Sequence, residues 1–223
     1  MKKINIVTGH YGSGKTEFAI NYALKLKEAY GASVICDMDI VNPYFRTNDA
    51  VSFLNDGGVS VIAPEYANTN LDLPSLPSDI ISVFSENSPP SVLDVGGDDD
   101  GAIALGQFYP YLSKEDYEMF FVVNTLRPDT SNADDVVKLV RDIEYVSRCK
   151  ITALVNNSNL SYLSSVSDIT NSFELMDEIS QKLNLPIKYI SGKKEILEKL
   201  SSEHKEKLFP LELFMQLPFD ALA

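Results

Sequence analysis

The run Gly9-His10-Tyr11-Gly12-Ser13-Gly14-Lys15-Thr16 places two glycines, a lysine and a hydroxyl at the spacing G-x-x-x-x-G-K-[ST]. At average residue usage this spacing arises by accident in about one chain in a hundred of this length. Here it also lies between an apolar run, Ile4 to Thr8, and a segment of helical period. That context gives the pattern its chemistry. Glycines let the backbone of Gly9, Tyr11, Gly12, Ser13 and Gly14 turn its N–H groups toward an anion, and the helix N-terminus adds a positive dipole end. The Lys15 ammonium is expected to reach the β- and γ-phosphates of a nucleotide, and the Thr16 hydroxyl to ligate Mg²⁺.

Two acidic segments complete the expected site. Ser91-Val92-Leu93-Asp94-Val95-Gly96-Gly97 is a hydrophobic strand with a carboxylate near its end and a glycine pair after it. Asp94 suits the metal's coordination shell, and the N–H of Gly97 suits a γ-phosphate. Asp37-Met38-Asp39 ends a second apolar run. Ligands of open α/β sheets sit at the carboxyl ends of the strands, so both acids fall near the site. Asp39 is the preferred residue for the metal or the attacking water, with Asp37 structural.

With these motifs in place, the chain resembles the MinD/ParA/Mrp-type ATPases, the CobQ/CobB/MinD/ParA nucleotide-binding fold. The resemblance is carried by Gly9 to Thr16, Asp37-Met38-Asp39-Ile40-Val41-Asn42-Pro43 and Leu93-Asp94-Val95-Gly96-Gly97. It implies an ATP-dependent switch using ATP and Mg²⁺, in which ATP closes a homodimer face to face and slow hydrolysis releases a protein client or cargo. One position departs from the family. Its signature lysine, second in the phosphate loop, is His10 here, and a neutral imidazole supplies no fixed positive charge to a phosphoryl transition state. His10 is either a tolerated loop residue or a catalytic one. The base is argued from Asn156-Asn157-Ser158-Asn159, which lacks the Lys and Asp of the guanine-reading N-K-x-D. An Asn amide offers both donor and acceptor to an adenine edge, so Asn156 is either a base contact or a loop cap.

The elements that must position these residues alternate strand and helix. Further apolar runs lie at Ser33 to Cys36, Val59 to Ala63, Val92 to Val95, Met119 to Val123, Ile151 to Val155 and Ile187 to Ile190. Most are continuous, the pattern of parallel strands covered on both faces. Between them, Ala19, Tyr22, Ala23, Leu26 and Tyr30 share one helix face before a Gly31 C-cap. Val136, Leu139, Val140, Ile143 and Val146 share another, after a Ser131–Asp134 pattern resembling a capping box. Leu175, Met176, Ile179 and Leu183 make a third stripe that ends at Asn184. The expectation is one domain over 1–223, a three-layer α-β-α doubly wound and mostly parallel sheet.

Composition narrows the partners. With 32 acids against 19 bases and a net charge of −13, nucleic acid and anionic membrane surfaces are disfavoured. Two distant cysteines, Cys36 and Cys149, make no metal or disulfide framework, and a cytoplasmic setting is expected. Asp98-Asp99-Asp100 reads as a solvated turn or helix N-terminus, and Arg46 and Arg127 as loop residues able to touch phosphate. The apolar tail, Leu208 to Phe219, is expected to start a short helix at Pro210 and pack on the core or a second copy. Competing functions are a small-molecule ligase or kinase of the dethiobiotin synthetase or cobyrinate amidation type, metal-centre maturation, and a non-hydrolysing nucleotide module.

Overall fold

A computed structural model describes residues 1–39, 51–63 and 78–214. Ile40 to Pro43, Arg46 and the end of the apolar tail lie outside the described residues. Eight strands form one sheet: β1 (Ile4–Thr8), β2 (Ser33–Met38), β3 (Val59–Ile62), β4 (Ser91–Val95), β5 (Tyr117–Val123), β6 (Ala153–Asn156), β7 (Ile187–Gly192) and β8 (Leu208–Pro210). Their order is β3-β2-β4-β1-β5-β6-β7-β8, and every pairing is parallel. The continuous apolar runs therefore form the parallel sheet they predict.

Alternate strand residues feed two cores, because successive side chains point to opposite faces. Helices among the described residues include α1 (Lys15–Tyr30), α2 (Val51–Asp56), α3 (Asp99–Gly106), α4 (Tyr109–Leu112), α5 (Ala133–Ser147), α6 (Val166–Thr170) and α7 (Phe173–Leu183). On one face Ile4, Ile6, Met38, Leu93, Met119 and Phe121 pack against α3, α5 and α7. On the other, Val7, Ile35, Val92, Phe120 and Val122 pack against α1 (Lys15–Tyr30). Phe18 and Tyr22 of α1 anchor that second core, with ring centroids 4.9 Å from Phe209 and 5.1 Å from Phe120 respectively. Aromatic pairs at this spacing add to area burial. Gly31 closes α1 in the left-handed region at φ 87° and donates to Lys27 O, as expected.

Two local expectations are corrected. The N-cap of α5 is Asn132, whose side chain accepts from Asp135 N–H at 2.9 Å, while Ser131 donates its hydroxyl to Pro128 O at 2.7 Å. The tail starts as a strand rather than a helix. Residues Leu208–Pro210 extend the sheet beside β7, and Leu211 N–H donates to Gly192 O at 2.8 Å. Phe209 and Leu211 are buried in the second core, so this part of the tail packs on the protein's own body.

The path of the chain sets the site. From β1 it builds β2, β3 and β4 on one side, then crosses to β5 and the strands beyond, so β1 lies between β4 and β5. Such a reversal opens a crevice at the carboxyl ends of the strands. Register places Asp94 level with Val7 on one neighbour and Asp37 on the other.

Candidate functional site

The loop after β1 is a tight turn leading into α1. Ser13 N–H donates to His10 O at 3.0 Å, and Phe18 N–H closes the first helical turn on Gly14 O at 3.0 Å. Gly14 is the N-cap at φ 81°, and a side chain there would also overlap the Asn157 amide. Consecutive loop carbonyls are held by side chains from elsewhere. Arg127 Nε donates to Gly12 O at 3.0 Å, and Asn157 Nδ2 to Ser13 O at 2.7 Å. Gly97 packs so closely on the loop that a Cβ would collide with the Gly9 carbonyl. The expected γ-phosphate donor therefore borders the phosphate loop. Tyr11 carries its ring on the surface, so its place in the site is through its backbone.

Three charges are buried beneath this loop. Lys15 Nζ lies 3.0 Å from Asp39 Oδ2, with side chains only 7% and 4% exposed. Burial acts to lower the Lys15 pKa, but the charges of Asp39 and Asp94 outweigh it and hold the ammonium above its usual range. Asp94 is fully buried, and burial pushes its carboxyl up to about 7 against the opposing pull of Lys15 and the Thr16 hydroxyl. Asp39 lies over Gly96, and its N–H donates to Asp37 Oδ1 at 3.1 Å. Asp37 thus braces the strand end, the structural place expected for it.

The donor set suits Mg²⁺ bridged to a polyphosphate. Both Asp94 carboxylate oxygens and the Thr16 hydroxyl are buried without a hydrogen bond of ordinary geometry among the described residues. Orphaned oxygens of this kind call for a partner. No group of three or more His, Cys, Asp or Glu able to hold a metal occurs among the described residues. Mg²⁺ commonly takes one or two protein oxygens and completes its shell with phosphate and water.

Other expected residues fall as follows. Asn156 is 1% exposed; its Nδ2 donates to Ser172 Oγ at 2.7 Å and its Oδ1 accepts from Ser158 N–H at 3.2 Å. Both ends of its amide are engaged within the protein, the geometry of the loop-cap alternative. His10 turns toward the loop after β5, with Nε2 3.8 Å from Asp129 Oδ2. Asp98 caps α3 by accepting from Gly101 N–H, and Asp99 and Asp100 occupy its first turn, as expected of that acidic run. Sequence reasoning passed over Asn157. An Asn-Asn-Ser-Asn run after an apolar strand was the available signal, and it does not say which Asn turns toward the phosphate loop.

No protein-family model and no curated protein matches the chain. Solved structures do resemble it. FtsY from Mycoplasma mycoides superposes with a TM-score of 0.58 at 16% identity, covering 88% of this chain and 61% of that one. The signal recognition particle receptor FtsY from Elizabethkingia anophelis, in complex with GDP, gives 0.57 at 17% identity, over 88% of this chain and 59% of that one. The signal recognition particle 54 kDa protein from Aeropyrum pernix K1, in complex with GDP, gives 0.55 at 14% identity, over 84% and 40%. The chain thus spans about 61% or less of these three proteins. Together with the eight-stranded parallel sheet and the loop between β1 and α1, the likeness defines the fold class: an α/β protein of the P-loop nucleotide-binding type.

Proposed function

We propose that the protein binds Mg-ATP and hydrolyses it slowly, as a cytoplasmic switch whose nucleotide state is sensed by a protein client. One observation carries the reading: a buried lysine, Lys15, and three metal-type oxygens, both of Asp94 and the Thr16 hydroxyl, converge beneath a loop whose carbonyls are turned onto other side chains. The loop N–H groups, the α1 N-terminus and Lys15 would hold the β- and γ-phosphates. Lys15 would exchange its Asp39 partner for phosphate. Mg²⁺, held by Thr16 Oγ1 and Asp94, would neutralise charge developing on the phosphate oxygens. Asp39, released from Lys15, remains in the same crevice to orient water for attack on the γ-phosphorus. The bond to the β-phosphate oxygen breaks, leaving ADP and inorganic phosphate. With His10 in place of a permanently charged lysine, turnover is slow.

Adenine is preferred because guanine presents N1–H and N2–H donors that a carboxylate meets best, and residues 157–165 after β6 include no acid. Metal-centre maturation is disfavoured by the burial of both cysteines. The test is calorimetry with Mg-ATP and Mg-GTP on the wild type and on Lys15→Ala, with circular dichroism to confirm folding. Wild type should bind ATP about tenfold or more tightly than GTP, and the variant should lose about thirtyfold or more. Binding of neither nucleotide, or undiminished binding by folded Lys15→Ala, overturns the proposal. Tighter GTP binding overturns the adenine assignment alone.

A further inference from the structure

Asn157 is 3% exposed and has a partner for every part of its side chain that the surrounding groups can reach. Its Nδ2 donates to Ser13 O at 2.7 Å. Its Oδ1 accepts from Ser191 Oγ at 2.8 Å and from Asn159 Nδ2 at 2.7 Å. Its main-chain N–H is fixed on Val123 O at 2.8 Å. A carbonyl can only accept, so the NH₂ end must face Ser13; rotating the amide would set its oxygen against the Ser13 carbonyl and its NH₂ against that of Asn159.

We propose that Asn157 is a positioning residue that presets the phosphate loop, a role that rests on the phosphate-binding reading above. A trans peptide is planar, with its C=O and N–H on opposite sides. Fixing the Ser13 carbonyl on Asn157 therefore fixes the Gly14 N–H in the opposite direction, away from Asn157 and into the loop's interior. This peptide needs a clamp because it leads into Gly14, a residue without a side chain to hold its own dihedrals. Arg127 holds the preceding carbonyl in the same sense, but from an exposed position where water competes. The clamp reaches across the sheet from the loop after β1 to the ends of β6 and β7, where Ser191 holds the acceptor end.

Asn157→Asp is nearly isosteric. It keeps the acceptors used by Ser191 and Asn159, removes the donation to Ser13 and sets a carboxylate oxygen against the Ser13 carbonyl. Affinities for Mg-ATP and for inorganic tripolyphosphate should both weaken by about tenfold or more. The Gly14 amide peak in the ¹H–¹⁵N spectrum of the ligand-free protein should move. If Asn157→Asp does not fold, Ser191→Ala keeps the test open: it leaves Asn157 in place, removes one of the two donors to its Oδ1, and should cost about threefold with a smaller Gly14 displacement. Folded Asn157→Asp with wild-type tripolyphosphate affinity and an unmoved Gly14 peak overturns the clamp while leaving the nucleotide reading intact. Failure of the wild type to bind either probe overturns the nucleotide reading itself, and the clamp with it.

Discussion

Replacing Asp94 by Asn should stabilise the ligand-free protein at alkaline pH while impairing its use of Mg²⁺. The native carboxyl is raised from an ordinary 3.8 to about 7, chiefly by burial. Between those values the folded protein keeps a proton that the unfolded chain has released, so stability falls as pH rises through that window and stays level above it. At about 1.4 kcal/mol per pKa unit, the loss above pH 7 is on the order of 4 kcal/mol. An amide of the same shape carries no such cost. At about 2–4 °C per kcal/mol for a chain of this size, Asp94→Asn should melt at least about 5 °C above wild type at pH 8, once local relaxation has absorbed part of the charge cost. Near pH 4 the two should converge. Calorimetric melting across this range measures the difference directly. Mg-ATP at a hundredfold excess over Kd should narrow the gap, since it adds about 2.7 kcal/mol to a protein that binds it and little to one lacking the metal's carboxylate. Parallel pH profiles for the two proteins, or a lower melting point for Asp94→Asn at pH 8, would refute a buried carboxylate whose charge Lys15 and Thr16 only partly offset.

Two further changes probe the packing around the site. Gly97→Ala should cost about 2–3 kcal/mol in urea denaturation and weaken nucleotide binding, because the added methyl has no room beside the Gly9 carbonyl; unchanged stability and affinity would contradict that contact. Asn21 of α1 accepts from Glu212 N–H at 2.8 Å and donates to Glu212 O at 2.9 Å. Asn21→Ala should therefore lose about 1–2 kcal/mol and speed proteolysis of the tail, and a variant cleaved at the wild-type rate would show that the tail is not docked through this pair.

What the sequence disclosed follows from how local each feature is. The phosphate loop was legible because its chemistry is written in consecutive residues. The parallel sheet was legible because continuous apolar runs leave no solvent face. Strand β8 was not: Leu208-Phe209-Pro210 is too short to carry a period, and its pairing is supplied by β7, distant in sequence. The α5 cap slipped by one residue because Ser131 and Asn132 are both good caps, and the Pro128 carbonyl, by taking the Ser131 hydroxyl, decides between them. Asn156 and Asn157 pose the same problem at the site. Both follow an apolar strand, and only the packing of Ser172 beside one and Ser13 beside the other separates their roles. The Lys15–Asp39 ion pair is likewise a product of folding, since β1 and β2 are not even neighbours in the sheet.

On the proposed function, a chain of net charge −13 binds a polyanion against its own long-range field. Affinity then has to come from groups held in place before the ligand arrives: a buried ammonium, a helix terminus and a few N–H groups whose peptide planes are fixed from outside. This separates the two halves of a nucleotide site. The phosphate half depends on the backbone geometry of the loop between β1 and α1. The base half depends on side chains of the loops beyond the strands, and after β6 this chain carries amides and hydroxyls without an acid in residues 157–165. Fold likeness at 14–17% identity speaks to the arrangement of strands and helices and is silent on the base. The choice between adenine and guanine belongs to those loops, and it is there that the difference in affinity between ATP and GTP has to originate.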